Sequence, residues 1–118
     1  MAITKTITID GRPVAFKASA AVPRLYRVLF NRDIFTDMDR LMGSMSQSAE
    51  DYSALGVHDL EIFEDIAYVM ARHADPGVPD TADAWLDGFS MFSVYQVLPQ
   101  LAELWGLNIE TQSEAKKN

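Results

Sequence analysis

His73, Asp75, Asp80 and Asp83 are the residues whose types and spacing come nearest to chemistry in this chain. An imidazole followed by carboxylates, with Pro76, Gly77 and Pro79 turning the chain between them, could fold back into a His/carboxylate cluster. Such a cluster ligates a divalent metal or provides a general base. The spacing matches no established ligand pattern, however, and carboxylates around a turn serve equally well as helix caps. The four are therefore read as caps and turn residues, and no metal is assigned. His58 stands beside Asp59 and is expected to be exposed. The chain contains no GxSxG, HExxH, GxGxxG or phosphate loop, and no nucleophile has a recognisable base partner in sequence. No catalytic residue and no cofactor is assigned, and the chain is not expected to be an enzyme.

The elements that would hold these residues follow from periodicity. ITKTITI and VAFKA alternate with period two around Asp10-Gly11, which predicts a hairpin over residues 3–18. In that register Ile3, Ile7, Ile9, Val14 and Phe16 share one face, and Thr4, Thr6 and Thr8 share the other. A lone hairpin is marginal in water, so its apolar face must lie on helices or on strands of another copy. Pro13 donates no ladder hydrogen bond and places its side of the second strand at an edge. A short, largely buried helix is expected from Pro23 to Phe30, closed by Asn31. A second helix, capped by Asp33, carries Ile34, Met38, Leu41, Met42 and Met45 on one face. Residues 43–57 read as a loop. Asp59 is expected to cap a strong helix whose buried stripe is Leu60, Phe63, Ile66, Ala67, Met70 and Ala71. Its acidic start and its Arg72-His73 end suit the helix dipole. Thr81 caps a short helix with Trp85 and Phe89. Ser90 opens a last helix carrying Phe92, Tyr95, Leu98, Leu101, Ala102 and Trp105, bent at Pro99 and ended by Gly106. The expected architecture is α+β: one mainly helical domain over residues 1–107 with an N-terminal β-hairpin, and a polar tail over 108–118.

Composition limits the function classes. The chain has 118 residues, 48% of them hydrophobic and 23% charged, and no cysteine. One globular domain without disulfides or thiolate chemistry fits those values. A net charge of −7 argues against nucleic-acid binding, which needs clustered Lys and Arg. Arg24, Arg27, Arg32 and Arg40 alternate instead with Asp33, Asp37 and Asp39, the pattern of a solvated mixed-charge face. No apolar run approaches the roughly 20 residues of a membrane helix, and MAITKTITID alternates where a signal peptide would have an apolar core. The chain is expected to be soluble and unprocessed. Met38, Met42 and Met45 suit either a core face or an adaptable surface, with core favoured, and the aromatics of the last forty-odd residues suit either a core or a partner surface.

Taken in order, TITIDGRPVAFKASAAVPRLYRVLFNRD, FEDIAYVMARHADPGVPDTADAWLDGF and VLPQLAELWGLN followed by a Lys-Lys tail resemble the tail assembly chaperones of long, non-contractile-tailed phages and prophages of Gram-positive hosts. Where relatives often have Gly at the end of the first helix, this chain has Asn31. The resemblance implies a factor of the host cytoplasm that is absent from the mature virion. It would bind the tape-measure protein, keep it soluble and help recruit tail-tube protein during virion morphogenesis. It also implies a longer product of ribosomal frameshifting near Lys116-Lys117. The candidate partner-binding residues are Met38, Met42, Met45, Trp85, Phe89, Tyr95 and Trp105, with no nucleic acid and no membrane among the partners. The free hairpin edge makes self-association plausible. The alternative from another class is a structural minor tail or tail-completion protein of the virion.

Overall fold

The computed structural model describes residues 2–47, 56–101 and 103–104, and among these all side chains except those of 44–47 and 57. The fold is a small α+β domain. Two antiparallel strands, β1 (Ile3–Ile9) and β2 (Arg12–Ala18), pair from Ile9 opposite Arg12 to Ile3 opposite Ala18, which is the expected register. Asp10 and Gly11 both have positive φ, 55° and 75°, as a two-residue turn matched to strand twist requires. Ile7, Ile9, Phe16 and Ala18 are buried on one face, and Thr4, Thr6 and Thr8 face solvent.

The apolar face is covered from within the chain. The helix α3 (Val57–Ala74) packs across β2 and also touches α1 (Val22–Phe30), α2 (Ile34–Gln47) and α4 (Ala82–Leu86). Because α3 has neighbours on several sides, its burial is wider than one amphipathic stripe. Ile62, Tyr68 and Val69 are buried as well as Phe63, Ile66, Ala67, Met70 and Ala71. The middle of α3, from Ile66 to Ala71, is apolar without interruption and buried throughout, as a position between several elements demands. Among the described residues, no helix is long and apolar enough to cross a membrane.

Several expected boundaries move, each for a local reason. The first helix is not largely buried: Val22 and Tyr26 point inward, while Val28 is 72% exposed and Leu29 is also at the surface. Asn31 closes it at φ 56°, and its N–H donates to the Arg27 carbonyl. Asp33 starts α2 as expected, its carboxylate accepting from the Phe35 N–H and the Thr36 hydroxyl. The loop expected over 43–57 is shortened at both ends, since α2 continues to Gln47 and α3 begins at Val57; residues 48–55 lie outside the described ones. Asp59 is not the cap of α3. Gly56 occupies that position, and Asp59, three residues on, accepts from the Gly56 N–H at 3.1 Å. This is the return half of a capping box; Gly56 has no side chain for the other half.

The last helix differs most. Ser90 does not start it; a 3₁₀ turn over Ser93–Val97 precedes helical residues 98–101 and 103–104. Pro99 therefore falls in the first turn of the α-helical part, where its missing N–H costs no hydrogen bond and no kink is needed. The tighter 3₁₀ winding also rotates the buried face. Val94, Val97, Leu98, Leu101 and Leu104 are buried, whereas Phe92, expected inside, is 68% exposed. Ala102, Gly106 and the 108–118 tail lie outside the described residues.

Candidate functional site

The densest polar arrangement is centred on Arg32, in the turn between α1 and α2. Asn31, in the left-handed conformation, reverses the chain so that the Arg32 side chain points back toward α3. Its Nη2 donates to Asp65 at 2.6 Å and to the Tyr26 hydroxyl at 2.7 Å, and its Nε donates to Asp37 at 2.9 Å. Tyr26 in turn donates to Asp37 at 2.6 Å. Glu61 accepts a longer bond from Nη1 at 3.3 Å, and the guanidinium lies over the rings of Tyr26 and Phe30. Tyr26, Asp37 and Asp65 are buried. Arg32 and Asp37 thus do not belong to a solvated mixed-charge face. The signal that sequence reading passed over is positional: Asp37 lies on the Ile34–Leu41 side of α2, and Asp65 on the buried side of α3.

The electrostatics of this cluster are those of a closed network. Burial works against the Arg32 charge, but the hydrogen bonds to Asp65, Tyr26 and Asp37 more than offset it and hold its pKa above the ordinary arginine value. Burial, and the phenol's donation to Asp37, raise the Tyr26 pKa well above that of a free phenol. Burial also pushes the Asp65 carboxyl up, against the opposing pull of Arg32. With its proton held and its partners mutually satisfied, this phenol joins three helices and is not poised to exchange a proton at neutral pH.

The four residues read above as caps and turn residues, His73, Asp75, Asp80 and Asp83, each have separate partners. His73 Nε2 lies 2.8 Å from Ser19 Oγ, which ties the end of α3 to the end of β2. Asp75 accepts from the Gly77 N–H within its own turn, and Asp80 contributes its backbone carbonyl to Arg72. Asp83 lies in the first turn of α4, behind the Thr81 cap, whose hydroxyl accepts from the Ala84 N–H. Among the described residues, no group of three or more His, Cys, Asp or Glu side chains could hold a metal ion. His58 is exposed.

Two open grooves border α4. The larger, of about 550 Å³, runs between the end of α1, α3 and α4, with Leu29, Phe30 and Leu86 beside Glu61, Asp80 and Asp83. The smaller, of about 240 Å³, lies between β2 and the segment from Asp75 to Phe89. Of the candidate partner-binding residues, Trp85 and Phe89 are brought together there, with ring centroids 5.1 Å apart. Trp85 is buried against Phe16 and Tyr68, and Phe89 is half-buried beneath the Arg12 guanidinium. Tyr95 is half-buried against Phe63 and donates to Glu64 at 2.5 Å, which raises its pKa to about 12. Met38 and Met42 are half-buried against the core and line neither groove. The side chain of Met45 and all of Trp105 lie outside the described residues. Among the described residues, the large apolar side chains most open to solvent are others: Val28, Phe35, Met91 and Phe92.

The hairpin tip is fastened to the far end of the chain. Asp10 accepts from the Ser90 N–H and hydroxyl, both at 2.7 Å, and from the Ser93 hydroxyl at 3.1 Å. The Ser90 bonds hold the Asp10 carboxyl below the usual carboxylate range. Beside it, Arg12 donates to the Gly88 carbonyl at 2.6 Å. Comparison of the chain with protein-family models, with curated proteins and with solved structures returns no match in any of the three. Fold and surface together define a small α+β domain with open grooves beside a polar network that is internally satisfied.

Proposed function

We propose that this protein is a tail assembly chaperone of a long-tailed, non-contractile phage or prophage. It binds the tape-measure protein in the host cytoplasm, keeps it soluble and helps tail-tube subunits assemble around it, without turnover of any substrate. The observation that carries this reading is the ordered run of segments given above, from TITIDGRPVAFKASAA through AYVMARHADP and AWLDGF to LPQLAELWG. These segments also supply the framework of the domain: Ile7, Ile9 and Phe16, then Ala67 to Ala71, then Trp85, then Leu98, Leu101 and Leu104 are all buried. A binding role is further supported by the exposed Val28, Phe35, Met91 and Phe92 on an acidic chain, since exposed apolar side chains are the means of holding a partly apolar client.

Co-expression tests the reading. The tape-measure protein encoded beside this chain is expected to be insoluble alone and soluble when both are made. Mass spectrometry of purified particles is expected to find the tape measure and the tail-tube protein without this chain. A stoichiometric presence in particles would instead make it a minor tail or tail-completion component. A client equally insoluble with and without the chain would overturn the chaperone reading.

A further inference from the structure

The two-residue turn decides which way each backbone group of β2 points. Ile9 and Arg12 flank it and form the first hydrogen-bonded pair, so bonded and non-bonded pairs alternate from there. Arg12, Val14, Phe16 and Ala18 bond to β1. The carbonyl of Pro13 and both backbone groups of Ala15 and Lys17 then point away from it. The sheet has two strands, and among the described residues none of these outward groups has a hydrogen-bond partner. Pro13 fits this arrangement, because it sits where no N–H is needed for the β1 ladder.

This unpaired row is not open to solvent on all sides. The smaller groove runs along it, lined by four consecutive β2 residues, Arg12 to Ala15. Consecutive residues point to opposite faces of a strand, so a groove that touches all four must follow its edge. The opposite wall is mostly apolar, made by Val78, Pro79, Ala84, Trp85 and Phe89, with Asp75 the one acidic residue lining it. Arg12 bridges the two walls, donating to Gly88 and lying 5.0 Å over the Phe89 ring. A cavity of roughly 150 Å³ takes a benzene ring. The 240 Å³ of this open groove therefore matches one leucine, methionine or phenylalanine side chain entering from a backbone that lies along its mouth.

We infer that β2 accepts an extended segment of a partner protein as a third strand, with one large apolar side chain of that segment seated between Val78, Ala84, Trp85 and Phe89. The occupant must be extended, because the outward groups recur every second residue, about 6.6 Å apart, and only a strand presents donors and acceptors at that spacing. The occupant must be apolar at one position, because the residues facing the row are apolar apart from Asp75. A second copy of β2 does not meet that requirement. Its large apolar residues face its own core, Phe16 fully buried and Val14 packed against it, and cannot be given to a neighbour. The inference goes beyond the chaperone reading and does not depend on it.

The test uses the full ¹⁵N-labelled chain and a degenerate pool of nine-residue peptides with Leu, Met or Phe fixed at the centre. Binding is expected to slow amide exchange at Ala15 and Lys17 at least tenfold, leaving Val14 and Phe16, already bonded to β1, unchanged. Ala15→Pro removes one outward N–H and is expected to weaken pool binding about tenfold. Ala84→Leu crowds the side-chain pocket while leaving the strand untouched and should weaken it similarly, with the urea midpoint of each variant checked. Failure of the pool to bind at 1 mM, or protection that falls on Thr4, Thr6 and Thr8 of the β1 edge, overturns the inference. So does protection of Ala15 and Lys17 that rises with protein concentration in the absence of peptide, which would make a second copy the occupant. No phage component enters this experiment, so its failure leaves the co-expression result to be judged separately.

Discussion

Replacing Arg32 with methionine keeps the length of the side chain and removes the hub of the α1–α2–α3 network. Three short hydrogen bonds go, to Asp65 at 2.6 Å, Tyr26 at 2.7 Å and Asp37 at 2.9 Å. Glu61, more than half exposed, contributes little to the total. Taking one partner from a buried ion pair costs about 3–5 kcal/mol, because the other is left charged and poorly solvated. The Arg32 side chain is 27% exposed, so water can reach the vacated site and the lower end applies. A loss of about 3 kcal/mol at pH 7 is expected. In urea this is a fall of roughly 1–3 M in the midpoint at unchanged slope. The loss should shrink as the pH falls toward the carboxylate range, because Asp65, already pushed up by burial, becomes neutral before an ordinary aspartate does. For the same reason Arg32→Met combined with Asp37→Asn and Asp65→Asn should cost less than Arg32→Met alone. A solvated mixed-charge face would lose no more than about 1 kcal/mol. A loss that small at pH 7, or one that does not shrink as the pH is lowered through the carboxylate range, refutes the reasoning.

Tyr95, held up to about 12 by the Glu64 carboxylate, contributes stability that is complete below the ordinary value of 10 and lost as the pH rises through 12. Absorbance at 295 nm should therefore show late-ionising phenols, with one fewer in Tyr95→Phe, and titration of every tyrosine at 10 would contradict the contact. Burial, helped by Lys17, holds His73 below 6.5, so its share of stability is present above that value and is lost as the pH falls through the folded pKa. Chemical-shift titration of the ring should give a midpoint under 6.5, and His73→Gln should flatten that part of the acid limb. Asn31, at φ 56°, should accept glycine within about 0.5 kcal/mol of wild type, whereas Asn31→Val should lose roughly 1–2 kcal/mol in thermal or urea unfolding.

What was legible in the sequence and what was not divide along one physical line. The hairpin register, the Asn31 closure, the Asp33 and Thr81 caps and the Asp75–Pro79 turn depend on residues within a few positions of one another, and each was readable. The start of α3 differs by three residues because a carboxylate can bond a backbone N–H either as the cap or, as Asp59 does to the Gly56 N–H, from three residues inside the helix. The last helix was misread because 3₁₀ and α winding give different buried faces to the same apolar residues, and only packing against β1 selects between them. The Arg32 network needed partners 5, 29 and 33 residues away, and local charge alternation hid it. Of the candidate partner residues, the Trp85–Phe89 pair lines a groove, but the row of backbone groups opposite it has no side-chain signature to read.

The bonds from Asp10 to Ser90 span 80 residues, and this sets a delay during synthesis. The hairpin can form within microseconds of leaving the ribosome. Its tip then waits for Ser90, about 4–16 s later at 5–20 residues per second. Until α3 has been made β1 and β2 carry an uncovered apolar face, and until Ser90 follows their tip is unfastened, in a crowded cell. Slowing translation between the hairpin and Ser90 lengthens that exposure without altering any residue. The yield of folded protein should therefore depend on codon choice in the middle of the gene, far from the strands that need protection.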